Sequence, residues 1–302
     1  MGTRTAGRAE VVLATDGSLS AQWAEVWITN ARWETRPEVD VVNVASPSVA
    51  SSSWMPEAAD EELRVAMAAL RADEEAEAHG IAEAGASRLR EVGFSTTATS
   101  RYGEPAVHLL ERIAELRPAL VAMGCRGRSE IEAMLLGSVT QQVTAHSRSA
   151  VLIARRTGFA AGTLPLQTIV VIDPATTAQS AVAWLSVNGW LRGSRVTLLG
   201  LLGPTRGLVE HDQRLIEKAT TETRTHARTV IERVASRLGS GPSEVSIELR
   251  FGHPLQVCRE VAVNTGADLV VLARQQQPPG SYPFAQKLAR YLPTSVLLMP
   301  EN

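Results

Sequence analysis

The chain has 302 residues, 44% of them apolar, which suits two domains with separate cores better than one. A net charge of −2 supplies no basic field to gather nucleic acid, and no uninterrupted apolar run is long enough to span a bilayer. Cys125 and Cys258 are no disulfide framework, and the polar start Met1 to Glu10 lacks a signal-peptide apolar region, so the expected compartment is the cytoplasm.

In chain order, the apolar runs predict strands over 10–15, 38–44, 94–101, 119–124 and 149–155. Helical patterns fill 19–33, 57–92, 104–116 and 138–147. Ala45 to Pro56, with five serines and two prolines, reads as a loop, and Arg156 to Leu166 as a linker. The pattern then recurs from Gln167 to Met299. Strands alternating with helices imply an α/β fold with a parallel sheet covered on both faces. Two domains are expected, 1–157 and 158–302, each with strand order 3-2-1-4-5.

The recurrence extends to residues. With Asp16 set on Asp173, Ala21-Gln22 falls on Ala178-Gln179, Trp27 on Trp184 and Trp33 on Trp190. Arg101-Tyr102-Gly103-Glu104-Pro105 matches Arg250-Phe251-Gly252-His253-Pro254 at an offset of 149 (252 − 103). Ser149-Ala150-Val151-Leu152-Ile153 matches Thr294-Ser295-Val296-Leu297-Leu298 at 145 (296 − 151). A repeat of this length reads as a duplicated domain rather than a solenoid unit. The last strands of both copies, Ala150–Arg155 and Ser295–Met299, are short, apolar and expected at sheet edges. Pairing between them would remove an exposed edge.

The chemistry concentrates after the fourth strand. Gly124-Cys125-Arg126-Gly127 is followed nine residues later by Gly137-Ser138, at the start of the helix opening Val139-Thr140. Glycines admit positive φ and close approach to the main chain, and helix N-terminal N–H groups attract anions. Ser138 reads as a helix cap or as a donor to a phosphate oxygen. A side chain at Gly124 would then occupy phosphate space. With strand order 3-2-1-4-5, the crevice at the sheet's switch point lies between strands 1 and 4. Asp16, after strand 1, would face the same pocket. It reads as a carboxylate at the adenosine end or as a turn former before Gly17-Ser18.

These runs, Thr15-Asp16-Gly17-Ser18, Met123-Gly124-x-x-Gly127-(nine)-Gly137-Ser138-Val139-Thr140 and the closing Ala150-Val151-Leu152-Ile153, resemble the universal stress protein family. The likeness covers residues 9–155 strongly and 167–299 weakly. It implies two Rossmann-like, adenine-nucleotide-α-hydrolase-like domains. It also implies an ATP ligand, with or without magnesium. The resemblance assigns binding to Ala14, Asp16, Val44, Met123, Gly124, Gly127, Gly137, Ser138, Val139 and Thr140, with the backbone of Val44 on adenine. It further implies a homo-oligomer, a dimer of such chains, and a regulatory protein partner.

The second copy departs from the pattern. Gly124 becomes Ala273, Gly127 becomes Gln276, and Pro278-Pro279 remove N–H donors. Asp173 survives, followed by Pro174. One ATP per chain is therefore expected. Elsewhere, no histidine stands at metal-ligand spacing from a second histidine or cysteine. Cys125 beside Arg126 reads as a small filler or a thiolate. The lysines are Lys218 and Lys287 alone, so the glycine site has no P-loop lysine. Glu130 and Glu132 lie near an expected γ-phosphate with nothing to fix them. Without a catalytic constellation, a nucleotide-dependent regulatory module leads. A slow ATP hydrolase or phosphotransferase and a non-enzymatic scaffold are the alternatives.

Overall fold

A computed structural model of the chain describes residues 10–47, 61–127, 136–156, 166–172, 178–203, 213–274 and 284–300. The chain divides into two units, Met1–Thr29 with Arg36–Ala154, and Asn30–Thr35 with Arg155–Asn302.

The first unit runs β1 (Val11–Ala14), α1 (Leu19–Asn30), β2 (Glu38–Ala45), α2 (Glu61–Glu91), β3 (Ser95–Tyr102), α3 (Pro105–Leu116), β4 (Leu120–Gly124), α4 (Ser138–His146) and β5 (Ala150–Ala154). Its strands are parallel and ordered β3-β2-β1-β4-β5, the order expected. The uninterrupted apolar runs of β4 and β5 are buried along their whole length, as a sheet covered on both faces requires. The polar run Ser95-Thr96-Thr97-Ala98-Thr99-Ser100 of β3 stands at the end of that order, and no residue of the strand is fully buried.

Helix α1 stops at Asn30, short of the expected 33. The Trp33 N–H turns back to the Ala31 carbonyl at 2.9 Å, a two-residue reversal that no α-helix makes. Helix α2 buries Ala78, Ala82, Gly85, Ala86 and Leu89, a stripe at helical spacing made mostly of small residues. Small residues let the helix lie close to the sheet: a Cβ on Gly85 would come 3.1 Å from Val41 Cγ1. Two ion pairs lock helices to this unit. Arg88 of α2 donates two hydrogen bonds to Glu25 of α1, at 2.8 and 2.7 Å. Arg112 of α3 donates to Asp40 at 2.8 Å, and Thr99 Oγ1 donates to the other oxygen of that carboxylate at 2.7 Å.

The second unit runs β6 (Gln167–Ile172), α5 (Ala178–Val187), β7 (Arg195–Leu202), α6 (Gln213–Ala235), β8 (Glu244–Phe251), α7 (Pro254–Thr265), β9 (Leu269–Ala273), α8 (Phe284–Tyr291) and β10 (Ser295–Met299). Its parallel strands follow the same order, β8-β7-β6-β9-β10. Trp27 is 1% exposed, and Trp184 sits edge-on to Trp190 with ring centroids 5.3 Å apart. Both behave as packing residues. The expected linker lies largely outside the described residues, as do Glu130, Glu132, Asp173 and Gln275 to Pro279. Among the described residues no helix is long and apolar enough to cross a membrane.

Candidate functional site

The C-terminal ends of β1 and β4 lie side by side, with Ala14 in register with Met123. Strand order reverses there, because β1 continues to β2 on one side and β4 to β5 on the other. The chain leaves both strands upward and opens a cleft between the two exits.

The loop after β1 is shaped by its own side chains. Thr15 Oγ1 accepts the Gly17 N–H at 3.1 Å, and Asp16 Oδ1 accepts the Ser18 N–H at 3.0 Å. Gly17 holds φ 76, a conformation that favours glycine. Ser18 Oγ then accepts the Ala21 N–H and caps α1. From β2, Asn43 Nδ2 donates to the Thr15 carbonyl at 2.7 Å and fixes this loop from beneath. Asp16 therefore does form a turn. Its second oxygen, Oδ2, lies against Gly127, where an added Cβ would meet it at 2.7 Å. The carboxylate thus stands close to the glycine loop across the cleft floor.

The loop after β4 is tied to both neighbouring helices. Arg126 N–H donates to Ser20 Oγ of α1 at 3.3 Å, and Thr140 Oγ1 of α4 donates to the Gly124 carbonyl at 3.1 Å. Gly137 N–H closes the loop onto the Cys125 carbonyl at 2.9 Å. Gly124, Gly127 and Gly137 all keep negative φ, so conformational freedom is not why they are glycine. Close approach is. A Cβ on Gly124 would come 2.6 Å from the Ser20 carbonyl carbon and 2.8 Å from the Ala21 nitrogen. The expectation that a side chain there would enter ligand space is corrected: α1 fills that space.

Helix α4 takes Gly137 as its N-cap, with no side-chain cap, and Ser138 is its first helical residue. The first intrahelical bond runs from Gln141 N–H to the Gly137 carbonyl. The N–H groups of Ser138, Val139 and Thr140 consequently have no acceptor within the helix. The three residues line the cleft, and the N-terminal end of a helix is where an anion is bound most readily.

The cleft holds about 290 Å³, near the lower end of small-molecule sites, roughly 300–1,000 Å³. All ten residues singled out from the sequence line it: Ala14, Asp16, Val44, Met123, Gly124, Gly127, Gly137, Ser138, Val139 and Thr140. Thr140 is only 3% exposed and its hydroxyl hydrogen is committed to Gly124. The structure adds Arg126, Pro105 and Leu109, the last two from α3. The sequence signal for α3 was the Gly103-Glu104-Pro105 run, which places a helix start beside the end of β2. A second hollow of about 340 Å³ shares Asp16, Val44 and Ser46 and adds Asn43, Glu74 and Glu77. Among the described residues no group of three or more His, Cys, Asp or Glu could hold a metal ion.

A universal stress protein family model matches residues 8–155, the span that contains the whole cleft. Residues 8–155 belong to the universal stress protein family. Membership supports a stress-response role. The universal stress protein YxiE of Bacillus subtilis (strain 168) is 28% identical over 153 residues, 48% of this chain and 98% of that relative. A universal stress protein from Archaeoglobus fulgidus DSM 4304 has a similar fold, with TM-score 0.62 and 16% identity over 97% of this chain and 98% of that one. A protein of unknown function from Pseudomonas aeruginosa PAO1 gives TM-score 0.60 at 11% identity, covering 98% of this chain and 93% of the other. At such identities the likeness shows the fold, and it extends over both halves.

In the second half, the strand exit begins in the same way. Arg274 N–H donates to the Met299 carbonyl at 3.0 Å, as Cys125 N–H does to Ala154 at 3.1 Å. Burial lowers the Arg274 guanidinium to about 10, and its Nε donates to the same Met299 carbonyl at 3.3 Å. A large, half-buried cation thus stands where the first half has a small cysteine.

Proposed function

We propose that the first half binds ATP, with or without magnesium, and that the chain is a nucleotide-dependent regulatory module of the stress response. The observation that carries this reading is the convergence of ten residues, scattered from Ala14 to Thr140, on one cleft. That cleft offers apolar walls from Val42, Val44 and Leu109 for a flat base. At its other side stand the α4 N-terminus, the Ser138 hydroxyl and the Arg126 chain, all suited to phosphate oxygens. Asp16 would meet ribose hydroxyls or a phosphate-bound cation. The ligand would be one per chain. Dimerisation of the chains and an unidentified regulatory protein partner belong to the same proposal.

The test is calorimetry of the full-length protein with ATP, ADP, AMP and adenosine. Binding of ATP at a stoichiometry near one, with bound nucleotide detected by mass spectrometry after gentle purification, supports the reading. No heat and no thermal shift with any of the four would reject it in favour of a scaffold. Turnover of about 1–1,000 per second would reject the regulatory reading in favour of an enzyme.

A further inference from the structure

The described residues that follow β4 are Cys125 to Gly127, of which Arg126 and Gly127 line the cleft together with Gly124. Two side-chain hydroxyls reach this segment from opposite sides. Ser20, in the first turn of α1, accepts the Arg126 N–H at 3.3 Å, and its Oγ also lies 3.5 Å from Cys125 Sγ. Thr140, in the first turn of α4, donates to the Gly124 carbonyl at 3.1 Å. Between them the Gly137 N–H holds the Cys125 carbonyl at 2.9 Å. Residues 124, 125 and 126 are thus tied in turn to α4, to the residue that caps α4 and to α1, and the Cys125 N–H is also held by the Ala154 carbonyl.

We infer that Ser20 and Thr140 are positioning residues, whose hydroxyls hold the Gly124–Gly127 loop in its binding shape. Ser20 does so from outside the cleft, since it is not among the residues lining it. Its place also joins the two walls. It lies two residues after the Ser18 cap, so the loop carrying Asp16 and the loop carrying Arg126 are fixed to one helical turn. Thr140 does the same for α4, setting its N–H groups at a constant height above the end of β4. The effect on ligand rests on the nucleotide reading above. The effect on the loop does not.

The test uses full-length Ser20→Ala, Thr140→Val and Thr140→Ser. Each of the first two removes one hydrogen bond with little change in volume, and the third restores the hydroxyl. Amide hydrogen exchange without ligand is read first. Arg126 and Gly137 should exchange about five- to tenfold faster in Ser20→Ala and Thr140→Val, as loss of a single net hydrogen bond implies, with Thr140→Ser near wild type. The β4 amides of Leu120 and Val121 should not change. ATP affinity should fall by a similar factor in the first two variants and recover in the third. Unchanged exchange at Arg126 and Gly137 would overturn the inference. So would acceleration spread evenly through β4, which marks general destabilisation. Wild-type protein that fails to bind ATP would sink the nucleotide reading, while the exchange rates still decide whether the two hydroxyls hold the loop.

Discussion

The backbone of Ser20 lies directly against Gly124, so close that a Cβ on the glycine would sit 2.6 Å from the Ser20 carbonyl carbon. The contact is backbone on both sides, and neither partner can rotate away. Gly124→Ala should therefore lose stability by about 1–3 kcal/mol, the usual cost of overpacking. Gly127→Ala should not, because the atom its Cβ would meet is the end of the Asp16 side chain, 2.7 Å away. That variant should unfold within about 0.5 kcal/mol of wild type and bind ATP more weakly. Urea denaturation beside calorimetry separates the two. Equal stabilities for both variants would show that α1 does not need the glycine at 124.

Asp40 is fully buried in β2 and held by Arg112 and Thr99. Burial acts against the Arg112 charge, but hydrogen bonds to Asp40 and Glu115 outweigh it and raise the guanidinium above its ordinary value. Arg112→Ala would leave a carboxylate in the core without its cation. A loss of about 3–5 kcal/mol is expected. Arg112→Met with Asp40→Leu should recover most of it, because the double change leaves no buried charge. The check is a double-mutant cycle by chemical denaturation. Strict additivity of the two changes would mean that the pair is not coupled.

Two helix ends supply an internal comparison. Arg117 at the C-cap of α3 holds φ 46 and ψ 57, and Gly266 at the C-cap of α7 holds φ 62 and ψ 39. The same left-handed turn is thus made once by arginine and once by glycine. Left-handed backbone costs an ordinary residue roughly 1–2 kcal/mol, part of which glycine returns through its freer unfolded state. Arg117→Gly should raise stability by about 0.5–1 kcal/mol, and Gly266→Arg should lower it. Thermal melts of the two single variants decide the signs.

Asp268 is raised above the ordinary carboxyl value by burial, with the Gln167 N–H bond acting in the other direction. A carboxyl raised in the fold contributes stability that is complete below its unfolded value, about 3.9. That contribution is lost as pH rises through the folded value. Asp268→Asn removes the ionisation and keeps an acceptor for Gln167. Its melting temperature should exceed that of wild type at pH 7, and the gap should close as pH falls toward about 4. A gap that stays constant with pH would place the ionisation of Asp268 outside the stability of the fold.

Much of the architecture was legible in residue order because hydrophobic periodicity and turn chemistry are local. The offset of 149 read between Gly103 and Gly252 carries β3, α3 and β4 onto the bounds of β8, α7 and β9, and that of 145 carries β5 onto β10. The cleft was legible for a related reason. Its residues stand at the ends of β1, β2 and β4 and at the start of α4, and parallel topology alone brings those ends together. Cleft walls from α3 were not legible, since nothing in the Pro105 to Leu109 run states which face meets β2. Nor was the partner of Asp40, a charge set among valines in β2, since Arg112 is 72 residues away. The reason for Gly124 was misread on the same ground. A glycine in a loop sequence announces that something comes close. Only the packing of α1 across the end of β4 decides that the close neighbour is the backbone of Ser20.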